Sequence, residues 1–291
     1  KKIKMDAMIS ILIIVLYLIS MLSATAGELR DLMINLGVLK ETQLYLDQLL
    51  NFPKVKNNES QSLQVNNGEI EYKDITFKYP SVDKPLFSNF NLKFNPGESV
   101  AVMGTIGSGK STLIKILMKL NRISKGTVLI DGVDLSNVSS NEIRKSISFV
   151  PQNPKLFNRT VYENITYGMP NKTRDDVDKI IAKLKLQKIF ASLSDNLNTM
   201  AGKNGDNLSG GQRQVVFLLR CALRDNKIII LDEPTSALDN ENRQFIMNIL
   251  EEMFKHKTLI IITHDNEILQ HVDRIVYLKY GKLVGDNKTK K

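Results

Sequence analysis

The sequence predicts an α/β fold, a mostly parallel core sheet flanked by helices, preceded by a long transmembrane helix. Three observations predict it. Short runs with uninterrupted apolar cores at 99–104 (SVAVMG), 228–233 (IIILDE) and 259–264 (LIIITH) read as parallel strands buried on both faces. The first of them enters a glycine-rich loop, 104–111 (GTIGSGKS), that opens a helical pattern, STLIKILMKL. Residues 7–27 carry no charge, and as a helix they would span about 31 Å, the thickness of a bilayer core.

The remaining elements follow in order. From Glu28 to Leu50 the apolar positions Leu29, Leu32, Met33, Leu36, Leu39, Leu46 and Leu50 keep helical spacing, so the helix is expected to continue out of the bilayer. Residues 51–67 are polar, contain one proline and read as a linker. From 68 the pattern alternates (GEIEYKDITFKYP, then LFSNFNLKFNPGE), which predicts an antiparallel β subdomain. Residues 153–226 are mainly helical in pattern, and 286–291 form a short basic tail. Lys1 in place of an initiating Met is read as the start of a C-terminal piece of a longer protein.

Composition narrows the function classes. With 42% hydrophobic and 24% charged residues, 291 residues can bury a full core. The net charge of +9 is spread along the chain, which reads as a lysine-rich solvated surface and not as a nucleic-acid footprint. One cysteine, Cys221, excludes an internal disulfide and suits a reducing compartment.

The loop at 104–111 fits G-x-x-x-x-G-K-[ST] between a strand and a helix. Gly104, Gly107 and Gly109, with Ser108, let backbone N–H groups turn inward around phosphates, and the helix that follows through Thr112 adds its positive end. Lys110 neutralises the outer phosphates and Ser111 holds Mg²⁺, so ATP and Mg²⁺ are the expected ligands. The run 228–233 ends in two carboxylates at a strand's C-terminal edge, where ligands collect in open α/β sheets. Asp232 is placed for the Mg²⁺ shell and Glu233 to orient or deprotonate the attacking water. An ATP-using domain has no fuel outside the cell. Residues 7–27 are therefore read as a membrane span and not as a signal peptide, despite the KKIK on the side expected to be non-cytoplasmic.

Leu208-Ser209-Gly210-Gly211-Gln212 then supplies a second glycine-rich helix start. With this pentapeptide the sequence resembles the ATP-binding cassette (ABC) proteins over about residues 68–285. The resemblance implies a P-loop NTPase cassette with a mostly parallel core sheet, an antiparallel β subdomain and a helical subdomain. Further motifs match in order. Tyr79 matches the aromatic that stacks on adenine, and Gln152 the glutamine that senses Mg²⁺ and couples to the membrane part. Asp239, in SALD at 236–239, matches the loop across the dimer interface, and His264 the histidine that contacts the γ-phosphate. In this family the loop at 104–111 binds ATP in its own subunit, while Ser209, Gly210, Gly211 and Gln212 face the γ-phosphate held by the opposite subunit. The implied partner is thus a second ABC subunit, identical or not.

Two positions depart from the pattern. Ile106 replaces a small polar residue in the phosphate loop, and Met200 a glutamate before the pentapeptide. FNRTVYENITYG at 157–168 resembles the exporter branch, as does the fused apolar helix. The resemblance implies a membrane-embedded half-transporter, contacting lipid, with its cassette in the cytoplasm, moving a substrate that the sequence does not identify. A soluble importer ATPase would lack residues 7–27. A DNA-maintenance ATPase would need long heptad arms within the cassette, for which the interval from loop to pentapeptide is too short.

Overall fold

The structure is a computed structural model that describes residues 5–50, 61–235 and 240–289, leaving out the side chains of 6, 48–50, 240–242 and 244. It divides into two compact units, 1–58 and 59–291.

The first unit is one helix, α1 (Met5–Leu50), 46 residues long and unbroken through Gly27 and Gly37. Its stretch Ala7–Asp47 contains a window long and apolar enough to cross a membrane. Leu12, Ile13, Ile14 and Leu16 stand exposed, so no described residue of this unit buries these side chains. Thr25 and Thr42 satisfy their hydroxyls on carbonyls one turn back, at Met21, Leu22 and Val38.

The second unit runs β1 (Ile70–Phe77), β2 (Phe87–Phe94), β3 (Ser99–Gly104), α2 (Lys110–Leu117), β4 (Lys125–Ile130), β5 (Val133–Asp134), α3 (Ser140–Ser146), β6 (Ile147–Val150), α4 (Val161–Ile165), α5 (Arg174–Lys183) and α6 (Gln187–Ala191). It continues with α7 (Gly210–Arg224), β7 (Ile228–Asp232), α8 (Asn240–Met253), β8 (Thr258–Ile262), α9 (Asn266–His271), β9 (Arg274–Lys279) and β10 (Lys282–Lys288). Among the described residues there are two sheets. One is antiparallel, in the order β2-β1-β4-β5. The other runs β10-β9-β3-β8-β7-β6, parallel from β9 to β6, with β10 antiparallel at its edge.

The apolar runs explain the packing. Every residue of β8 is buried, and β7 is buried until its last residue, Asp232. Successive side chains face opposite sides. Val100, Val102, Ile228, Ile230, Ile260 and Ile262 therefore join a core with α2 and the antiparallel sheet. Ala101, Ile229, Leu231, Leu259 and Ile261 join a second core with α7 and the helical subdomain. A sheet covered on both faces leaves its strand ends as the accessible edge.

Two boundaries differ from the sequence expectation. Residues 61–67, expected as linker, belong to the cassette: Leu63 is buried in its core. The backbone N–H groups of Asn66, Asn67 and Gly68 all donate to Asp131 Oδ2 at 2.8, 2.9 and 3.2 Å, and that of Glu69 to Oδ1 at 2.7 Å. The expected basic tail is also partly structure, because Asp286 makes a bidentate pair with Arg274, Nε to Oδ1 at 2.5 Å and NH2 to Oδ2 at 2.8 Å. Neither was visible in local composition, since both depend on residues far along the chain.

The Asp131 cage has a measurable consequence. Partial burial by itself would raise the carboxyl's pKa, but the four backbone donors hold it below the ordinary carboxylate value. A depressed folded-state pKa stabilises the fold above the unfolded value of about 3.9, and that contribution is lost as pH falls through the lower folded value. Asp131→Asn, which turns a donor toward donors, is expected to cost about 2 kcal/mol at pH 7 and less at pH 3. Urea titrations at the two pH values check this; equal losses would contradict it.

Candidate functional site

The topology collects the predicted residues at one sheet edge. The strands β3, β8, β7 and β6 are parallel neighbours, so their C-terminal ends lie side by side. From these ends come, in spatial order, the phosphate loop 104–109, His264, the pair Asp232 and Glu233, and Gln152.

The phosphate loop turns on glycine. Gly104, Gly107 and Gly109 have φ of 153°, 77° and 108°. A side chain at Gly104 would collide with the Leu278 carbonyl, and one at Gly109 would lie 2.7 Å from the Phe87 ring. At Gly107 the neighbouring space is open. Helix α2 starts behind Gly109 with no side-chain cap and no acid in its first turn. By contrast α3, α4, α5 and α9 each carry a capping side chain and a first-turn acid. The first N–H groups of α2 are therefore left for an external acceptor. Ser108 is 1% exposed, and its Oγ has no partner among the described residues.

Lys110 reaches back across this loop, with Nζ 2.5 Å from the Gly104 carbonyl and 3.2 Å from that of Thr105. Burial lowers its pKa from the ordinary lysine value, while the carboxylates of Glu233 and Asp232 act in the opposite direction. Asp232 shows the reciprocal effect. Burial first, and then the Glu233 carboxylate, raise its pKa, against the pull of Lys110 and Lys115. A partly desolvated ammonium facing two adjacent carboxylates forms a site suited to a polyanion and a divalent cation together. The residues fit phosphate and Mg²⁺ on this ground, with Ser111 exposed at the first turn of α2.

Glu233 follows β7 in the left-handed region, at φ 47°, an uncommon state for a side chain longer than Asn. Its N–H donates to the Ile262 carbonyl at 2.8 Å, which fixes that conformation. Gln152 Nε2 donates to Glu233 Oε2 at 2.8 Å, so the two predicted residues meet directly. His264 is exposed at the end of β8. Behind it Asp265 caps α9 and accepts from Thr235 Oγ1 at 2.8 Å, with Arg243 3.5 Å away. This support of the His264 loop was not anticipated, although an Asp one residue before a helical start is a readable cap signal.

Tyr79 stands against the first turn of α2. Its hydroxyl lies 2.8 Å from Thr112 Oγ1, and its ring meets Phe77 edge-on with centroids 4.8 Å apart. Thr112 is buried, so its hydroxyl is engaged by Tyr79. Ile106 stands fully solvent-exposed among the described residues. Asp239 and the rest of 236–239 lie outside the described residues.

The second glycine-rich start is the N-terminus of α7. Ser209 Oγ accepts from Gln212 N at 3.2 Å, and Gln212 Oε1 accepts from Ser209 N at 2.8 Å, a reciprocal capping box. The first turn carries no acid. Gly210 lines a cleft with Gln152, Glu233, Lys155, Arg213 and Gln214, among others, and no residue of 104–111 lines it. The two phosphate-type helix starts thus do not share that cleft.

Comparison with known proteins agrees with this geometry. The family profile described as "ABC transporter" matches residues 87–236. The chain is 38% identical over 218 residues to "ABC transporter B family member 3" of Dictyostelium discoideum, covering 75% of this chain and 15% of that protein. It is 36% identical over 231 residues to "ATP-dependent lipid A-core flippase" of Chromobacterium violaceum, covering 79% and 40% respectively. It is 37% identical over 224 residues to "Multidrug resistance protein pgp-1" of Caenorhabditis elegans, covering 76% and 17%. Among solved structures, a bacterial Atm1-family ABC exporter with ATP bound superposes with a TM-score of 0.76 at 28% identity, over 88% of this chain and 44% of that one. The chain therefore spans less than half the length of each of these proteins.

Proposed function

Because the chain belongs to the ABC transporter family, we propose that its cassette binds and hydrolyses ATP between two subunits and so powers export of a substrate across a membrane. The observation that carries the reading is that two helices, α2 and α7, open at glycine-rich starts with no acid in the first turn, each suited to phosphate. One chain supplies two phosphate-facing ends for different ATP molecules, so a head-to-tail dimer completes both sites.

Each residue then has a task. The loop glycines and the first turn of α2 surround the phosphates, and Lys110 exchanges its own loop carbonyls for phosphate oxygens. Mg²⁺, when bound, neutralises charge developing on the phosphates. Ser111 and Asp232 are the groups to hold it, with Gln152 alongside. Glu233 takes the proton of the attacking water and Gln152 keeps the carboxylate aimed. His264 and the partner's Ser209-Gly210-Gly211 end donate toward the γ-phosphate. Tyr79 supplies an aromatic face for adenine. Residues 5–50 act as a membrane helix continuous with its cytoplasmic extension, and 68–285 as the cytoplasmic cassette.

The exporter and flippase relatives and the fused apolar helix favour this over a soluble importer ATPase or a DNA-maintenance ATPase. Blotting the source membranes with an antibody to the cassette tests it. A carbonate-resistant polypeptide near twice 32.9 kDa is expected. A carbonate-extractable one would contradict the fused-exporter reading.

A further inference from the structure

We propose that Ser192, which lies in none of the sequence motifs, is a positioning residue for hydrolysis, acting through Gln212 on the phosphate-facing start of α7. The inference rests on the proposed function, in which that start faces the partner's nucleotide.

An amide side chain in a capping box has one end committed and the other free. Here Gln212 Oε1 is held by the Ser209 N–H at 2.8 Å, and Nε2 donates to Ser192 Oγ at 3.2 Å. Ser192 can serve only as the acceptor in that bond, because its own proton goes to the Ile189 carbonyl at 2.7 Å. The chain of contacts runs one way: Ile189 carbonyl, Ser192 hydroxyl, Gln212 amide, Ser209 N–H. It settles the orientation of the amide, since the flipped rotamer would set an oxygen against Ser192 Oγ and an NH₂ against the Ser209 N–H.

The consequence falls on Ser209. Its backbone N–H is used by Gln212 Oε1, and its Oγ accepts from Gln212 N. The hydroxyl proton is then the one donor of Ser209 left for a phosphate, and the Gln212 N–H held on its oxygen limits the directions in which it can point. Ser192 also closes α6, so the bond ties α6 to the first turn of α7. Without it, Gln212 is anchored only by its own cap, and the amide can turn.

Ser192 is separate from residues 104–111 in sequence and in contacts, which makes the effect separable from nucleotide capture. In the membrane-reconstituted protein, Ser192→Ala is expected to lower kcat for ATP roughly two- to tenfold, the scale of one lost neutral hydrogen bond. Binding of a fluorescent ATP analogue at the phosphate loop should be unchanged. Ser192→Thr, which keeps the hydroxyl, should restore kcat. In a double-mutant cycle, Ser192→Ala should add nothing to the loss caused by Gln212→Ala. Wild-type kcat in Ser192→Ala, no rescue by Thr, or additive losses would each overturn the inference. Ser209→Ala separates it from its premise. If that variant hydrolyses ATP normally, the phosphate-facing reading of α7 fails; if it is impaired while Ser192→Ala is not, only the role of Ser192 fails.

Discussion

Glu233→Gln is expected to bind ATP as the unmodified chain does and to hydrolyse it about 10²–10³-fold more slowly, the loss typical of removing a general base. The substitution is nearly isosteric. Its carbonyl oxygen can still accept from Gln152 Nε2, and the backbone bond to the Ile262 carbonyl is untouched. Nothing in the phosphate loop changes. What disappears is the capacity to take a proton. Asp232 should ionise more readily in the variant, because the Glu233 carboxylate is one of the two groups or effects that raise its pKa. Phosphate release measured beside ATP-analogue affinity checks both halves, and near-normal turnover would refute the role of Glu233.

Lys110→Ala should do the opposite, weakening ATP binding itself by roughly ten- to a hundredfold, the worth of a hydrogen bond to a charged group. Lys110 lies over the phosphate loop, partly desolvated, held by the Gly104 and Thr105 carbonyls. Burial lowers its pKa, and the negative charge of a bound polyphosphate would act in the opposite direction. Arginine should not substitute, because a planar fork has a different reach and shape from a point charge at the end of a flexible stem. Fluorescence titration with an ATP analogue separates the two variants: affinity lost with Lys110→Ala, turnover alone lost with Glu233→Gln. An unchanged affinity in Lys110→Ala would contradict the assignment of the loop.

The sequence made the core strands legible because burial on both faces leaves a plain signal, runs such as IIIL and LIII without polar interruption. The phosphate loop was legible because its chemistry needs glycine at fixed spacing. Contacts between distant residues were not. That Gln152 hydrogen-bonds Glu233, 81 positions away, depends on the order in which β6, β7 and β8 lie in the sheet. The Tyr79–Thr112 contact, the Asp131 cage and the Ser192–Gln212 bond are of the same kind. Each involves a residue type common on surfaces, and its partner is set only when the chain folds. The boundaries at 61–67 and 286–289 failed for that reason too: polar segments look like linker or tail until a buried Leu63 or a paired Asp286 ties them down.

In the proposed dimer, each chain's α7 start serves the ATP held by its partner's loop. Cysteine cross-linking between two differently marked chains tests it most directly, since the single native cysteine, Cys221, is buried. Ile106→Cys places a thiol at the fully exposed tip of one chain's phosphate loop, and Ser209→Cys places one at the α7 start of the other. With Glu233→Gln in both chains, to hold ATP without hydrolysis, a disulfide-linked dimer is expected to form with ATP and to be lost when Lys110→Ala is added. Cross-linking that is absent, or that ignores ATP, in chains shown to bind it would contradict this arrangement.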